Sequence, residues 1–175
     1  MPNIVYIATS LDGFIAREDG NLDWLMDVPN PDNSDFGFAE FLDRVDGVIM
    51  GRRTFDIVVG FGQWPYTKPV FVLSNTMTEL PDGYTDKAEV VNGKIKDIIE
   101  SLSNRGINNI YIDGGKTIQC FLKEDLIDEM IITRIPVLLG KGIPLFANFE
   151  RDIKFKPVKN EVLNEHLVKT TYVRE

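Results

Sequence analysis

The stretch Val48-Ile49-Met50-Gly51-Arg52-Arg53-Thr54-Phe55 decides the fold, and Asp113-Gly114-Gly115-Lys116-Thr117 repeats its logic further along the chain. In each, a β-forming apolar run breaks at glycine into a basic residue and then a helix-forming stretch. A residue without Cβ lets an anion approach backbone N–H groups, and the helix that follows adds the positive end of its dipole. Leu73-Ser74-Asn75-Thr76 closes another apolar run with a polar turn. In an open α/β sheet, ligands bind beyond the carboxyl ends of the strands. Taken singly, each turn also reads as a plain tight turn with solvated cations. Together they favour a cradle for a doubly phosphorylated ligand.

Working outward, Ile4-Val5-Tyr6-Ile7-Ala8 is a continuous apolar run, as in a strand covered on both faces. Ser10-Leu11-Asp12-Gly13-Phe14-Ile15-Ala16 reads as a turn and a short extended piece. Residues 20–32 read as a loop with an apolar anchor at Trp24-Leu25-Met26. Asn33 or Ser34 is placed to cap a helix carrying Phe38, Phe41, Leu42 and Val45. Strands are expected at 47–50, 69–73, 88–91, 109–112 and 127–137, and helices at 53–59 and 116–122. A further helix through Ile95, Ile98, Ile99 and Leu102 closes at Gly106. Period-two alternation over 161–163 and 166–173 predicts an antiparallel hairpin turning at Asn164-Glu165. This order implies one domain over 1–175: an α/β fold, a three-layer α/β/α sandwich on a mostly parallel central sheet with the C-terminal antiparallel hairpin at its edge.

Composition narrows the partners. A net charge of −8 disfavours nucleic acid and anionic membrane. No apolar run approaches the ~18–20 residues of a membrane span. One cysteine, Cys120, and one histidine, His166, argue against a Cys/His metal site, and a lone thiol fits a reducing cytoplasm. No G-x-G-x-x-G follows the first strand, and a P-loop ending at Gly115-Lys116-Thr117 needs glycine where Ile110 stands.

The order of Ser10-Leu11-Asp12-Gly13-Phe14-Ile15-Ala16, Val48 to Phe55, Val72-Leu73-Ser74, Asp113-Gly114-Gly115 and Thr133 resembles the dihydrofolate reductase superfamily. The runs Asp113 to Leu122 and Ile135 to Phe146 are similar to its riboflavin-biosynthesis branch, the RibD C-terminal domain family. The resemblance implies an eight-stranded sheet, NADPH as cofactor, a small-molecule substrate and a homodimer joined through C-terminal strands. It places Ala8 and Ile15 beside the nicotinamide, and Gly51, Arg52, Arg53 and Thr54 on phosphate. Leu73, Ser74 and Asn75 fall on the adenosine half, and Gly114, Gly115, Lys116 and Thr117 around the pyrophosphate. Arg52 and Lys116 become the candidates for the 2′-phosphate.

Asp35, three residues before Phe38, is expected on the apolar stripe of that helix. A carboxyl there has a raised pKa and can relay a proton to a hydride acceptor, and its place ahead of Gly51 matches the superfamily's pterin-binding acid. The competing reading is a helix-start acid held by the dipole. Asp12 reads as a turn former or a substrate contact, Trp24 as a core anchor or an indole donor to substrate, and Thr133 as a partner of Asp35 or a plain strand residue. Lys68 stands where folate reductases carry arginine and lacks the bidentate fork. The expectation is a cytoplasmic NADPH-dependent reductase of a C=N or C=O bond in a small heterocycle, foremost like 5-amino-6-(5-phosphoribosylamino)uracil reductase. The alternatives are a dihydrofolate or pterin reductase and a non-catalytic NADP-binding module.

Overall fold

In the computed structural model, which describes residues 2–175, the branched apolar runs form β1 (Asn3–Thr9), β3 (Gly47–Gly51), β4 (Val70–Leu73), β6 (Ile110–Asp113) and β7 (Glu129–Arg134). With β5 (Ala88–Val91), β9 (Phe155–Leu163) and β10 (Leu167–Arg174) they make an eight-stranded sheet in the order β5-β4-β3-β6-β1-β7-β10-β9. Every pairing from β5 to β7 is parallel, and β10 runs antiparallel to both β7 and β9. A small ribbon pairs β2 (Phe14–Ala16) with β8 (Ile143–Pro144).

Alternation along the strands builds two cores. Ile49, Ile110 and Ile112 face α4 (Ile95–Asn104) and α5 (Gly115–Lys123) through Ile98, Leu102, Ile118 and Phe121. Val48, Met50 and Tyr111 face the other way, onto Phe41 and Leu42 of α2 (Phe38–Asp43) and Phe55 and Val58 of α3 (Arg52–Gly60). Because successive side chains of a strand point to opposite faces, these buried runs need a helical layer on each side. The result is the expected three-layer sandwich of the dihydrofolate reductase type, with its antiparallel hairpin at one edge.

Three boundaries differ from the sequence reading. The strand expected over 127–137 stops at Arg134, where the Ile135 amide makes a last bond to the Thr9 carbonyl and Pro136 has no N–H to offer. The outer strand of the hairpin begins at Phe155, well before 161, because β9 is an edge strand with polar side chains on both faces and shows no clean alternation. The helix expected from Asn33 or Ser34 begins only at Phe38: Phe36 and Gly37 both have positive φ, 54° and 88°, which a right-handed helix cannot contain. A four-residue helix, α1 (Asp23–Met26), sits within the loop and is anchored by Trp24. Among the described residues no group of acids, histidines and cysteines is placed to hold a metal, and no helix is long and apolar enough to cross a membrane.

Candidate active site

The two glycine turns meet because their strands are neighbours. β3 and β6 pair in parallel, with Met50 opposite Asp113, so α3 and α5 both start at the same edge of the sheet. Neither helix has a side-chain cap, which leaves first-turn amides of both directed at that edge. The turns interlock so closely that larger residues do not fit. A Cβ on Gly51 would lie 3.0 Å from the Thr117 hydroxyl, and one on Gly115 would lie 2.6 Å from Ile15 Cδ1. At Gly114, whose φ is +88°, a Cβ would run into the Thr54 hydroxyl.

Above this junction lies a cavity of about 820 Å³. It is lined by Ala8, Ile15, Gly51, Arg52, Arg53, Thr54, Leu73, Gly114, Gly115, Lys116 and Thr117, all of them expected at the site. Leu22, Leu25, Ile57, Val58, Phe61 and Pro65 add an apolar wall. Arg52 makes a loose, exposed contact of 3.6 Å with Asp56, the kind of pair that holds a guanidinium only weakly. Lys116 is exposed and forms no ion pair with any described residue. Anion-accepting amides and loosely paired, exposed cations therefore share one edge of the cavity.

Two acids line this cavity: Glu18, paired with Lys141 at 3.2 Å, and Asp113, at the carboxyl end of β6. Its Oδ2 accepts a hydrogen bond from the Tyr66 hydroxyl at 3.1 Å, and its Oδ1 accepts from the Gly114 amide at 2.8 Å. Burial pushes its pKa up, and the hydrogen bonds from Tyr66 and Gly114 offset that only in part. Burial also raises the Tyr66 and Tyr111 phenols, with the charge of Asp113 as the next cause. Tyr111 donates to the Tyr6 carbonyl at 3.0 Å, so the cavity floor is a network of phenols around one carboxyl. Sequence reasoning used Asp113 only as part of a phosphate turn. The available signal was its alternation with Tyr111, which places both on one side of a strand whose interior is otherwise apolar.

Six expected site residues fall outside the cavity lining. Asp35 is corrected most: it precedes α2 and is exposed, off the apolar stripe, and its carboxylate accepts from the Gly37 and Ala39 amides at 2.9 Å each. Those bonds hold its pKa below the usual carboxylate range, opposite to the elevation expected from an apolar cleft. Asp12 accepts from Ser10 Oγ at 2.6 Å and from the Leu139 and Gly140 amides, so it clips two loops together. Trp24 is buried against Ile135 and Leu167, and its indole N–H has no partner among the described residues. Thr133 is buried on β7 between Ala8 and Lys169, while Asp35 spends its oxygens on amides. The Ser74 hydroxyl turns back to accept from the Met77 amide at 3.0 Å, and Asn75 is exposed beside it. Of the third polar turn, only Leu73 reaches the cavity.

The family model of the RibD C-terminal domain matches residues 3–169. The chain belongs to the RibD C-terminal domain family. A candidate riboflavin biosynthesis protein from Shewanella sp. PV-4 is similar at 60% identity, with a TM-score of 0.97 over 100% of this chain and 99% of that one. The uncharacterized protein YwjB of Bacillus subtilis (strain 168) is 40% identical over 157 residues, 87% of each chain. At 19% identity, the fold alone is shared with the Thermotoga maritima diaminohydroxyphosphoribosylaminopyrimidine deaminase/5-amino-6-(5-phosphoribosylamino)uracil reductase (TM-score 0.76), of which this chain spans 57% and which in turn covers 99% of this one. Fold alone is likewise shared with the Enterococcus faecalis dihydrofolate reductase complexed with NADP(H), at 16% identity and a TM-score of 0.68 over 99% of this chain and 96% of that one. In this member of the RibD C-terminal family, the cations stand at the helix starts and the half-buried acid Asp113 on the cavity floor.

Proposed function

We propose that this chain, as one domain, is a cytoplasmic NADPH-dependent reductase that delivers a hydride to a C=N or C=O bond of a small heterocycle. The observation that carries the reading is the meeting of two uncapped helix starts, three cations and one half-buried acid in a single cavity. Membership of a family that includes reductases supports it, as does the fold shared with a dihydrofolate reductase that binds NADP(H).

The residues present fit the cofactor. Amides at the starts of α3 and α5, with Thr54 and Thr117, would hold the pyrophosphate. Arg52 and Lys116 would take the 2′-phosphate, and Ala8 and Ile15 would flank the nicotinamide. Bound there, NADPH supplies the hydride. The apolar wall from Leu22 to Pro65 excludes water and orients the substrate ring. Asp113 then hands the proton held on its carboxyl to the nitrogen or oxygen of the bond being reduced, and the Tyr66 hydroxyl stabilises the carboxylate left behind. Asp35, tied to the start of α2, is assigned the capping role. Lys68 lies at the opposite end of β4, where it acts on Asp46, which leaves no clamp for a folate tail.

The test is cofactor discrimination. Arg52→Ala and Lys116→Ala should each weaken NADPH binding by about ten- to hundredfold, the worth of a charge-assisted hydrogen bond, with NADH binding little changed. Equal losses for both cofactors would remove the 2′-phosphate assignment.

A further inference from the structure

We infer that the substrate of this site carries no phosphate and is a planar, neutral or cationic heterocycle that presents N–H groups to Asp113. The inference rests on the reductase reading above and narrows its substrate class.

Among the described residues, the cations lining the cavity are Arg52, Arg53 and Lys116. Arg52 and Arg53 open α3 and Lys116 lies in the first turn of α5, so all three belong to the end assigned to the cofactor phosphates. The apolar end is a different place. Phe61 stands nine residues beyond Arg52, roughly 13 Å along the axis of α3, at a rise of ~1.5 Å per residue. Leu22, Leu25, Ile57 and Pro65 continue that wall. Lysines from elsewhere stay outside the lining: Lys141 is held at 3.2 Å by Glu18. Lys169 Nζ donates to the Phe36 carbonyl at 3.2 Å and lies 3.6 Å from Glu161, and Lys68 belongs to the far end of β4 beside Asp46; neither lines the cavity.

Phosphate recognition needs cations, helix starts, or both. Here each of these is committed to the cofactor end, and the acids in the lining are Asp113, which holds its proton, and Glu18, paired with Lys141 at 3.2 Å. A phosphate dianion brought beside Asp113 would lose hydration there with neither a cation nor a helix start to replace it. An N–H donor meets the opposite: a carboxyl oxygen and an apolar wall for the face of its ring. The Thermotoga maritima protein of the same fold is named for a phosphoribosyl substrate, and the residues of this cavity fit an unphosphorylated one better.

Ribose 5-phosphate is the direct probe. By calorimetry it is titrated into the full chain saturated with NADPH, into the free protein, and into the free Arg52→Ala/Arg53→Ala/Lys116→Ala variant, whose fold is checked by circular dichroism. The inference expects no saturable binding to the loaded protein. It also expects that any binding to the free protein weakens by about tenfold or more in the variant; absence of binding to both free forms agrees equally. Saturable binding to the loaded protein, or undiminished binding to the variant, would overturn it. In a kinetic arm, 5-amino-6-(5-phosphoribosylamino)uracil and its dephosphorylated counterpart are compared as substrates. A higher kcat/KM for the phosphorylated compound overturns the inference; a lower one, or no turnover of that compound, agrees. Failure of the wild-type protein to bind NADPH would count instead against the reductase reading, and the free-protein titrations would still decide this one.

Discussion

At the scale of single residues, Asp113 is where stability and chemistry pull in opposite directions. Folding raises its pKa through burial, so its contribution to stability is whole below the unfolded value of about 3.9 and is lost as pH rises through the folded value. Asp113→Asn removes that penalty. The variant should gain melting temperature relative to wild type at pH 7 and gain less at pH 4, while its turnover falls. A melting temperature that drops equally at both pH values would mean the carboxyl is a structural support with no proton to give. Asp35→Ala is the matched control: it should cost about 1 kcal/mol, as lost helix caps do, and leave kcat unchanged. The contrast shows what a sequence conceals. Both acids stand beside turns, and spacing to Phe38 pointed to Asp35, because a helix through residue 35 was assumed. The positive φ of Phe36 and Gly37 breaks that helix, and backbone amides claim the carboxylate.

At the scale of elements, the parallel core strands were legible because each is a short apolar run that ends at glycine or a polar turn. β9 was legible only at its end, since an edge strand faces solvent and carries no burial pattern. That exposed edge supports self-association. β9 has its outer side unpaired, and Val158 and Val162 are 53% and 71% exposed on it. Lys156, Pro157 and Lys159 guard this edge against open-ended strand addition, and the two valines are its apolar contact points. If the expected homodimer is joined at this edge, Val158→Lys/Val162→Lys should sediment as a monomer with its fold retained. A double variant that sediments as wild type does would place any interface elsewhere. The turn after β4 is the opposite case. Ser74 and Asn75 have the right chemistry and position, yet the hydroxyl caps its own turn, an outcome decided by local backbone geometry that residue type does not encode.

At the scale of the whole molecule, the cofactor reading depends on strand order. Gly51 and Gly114 are far apart in the chain and adjacent in space because β6 inserts between β3 and β1. Residue order alone fixed the two glycine turns but not their adjacency; the crossover that creates it is what turns two helix starts into one anion site. Calorimetric titration of the wild-type chain with NADPH and, separately, with NADH tests that convergence most directly. One saturable NADPH site per chain, about tenfold or more tighter than for NADH, is the predicted result. No binding heat with either cofactor, or equal affinity for both, would contradict it.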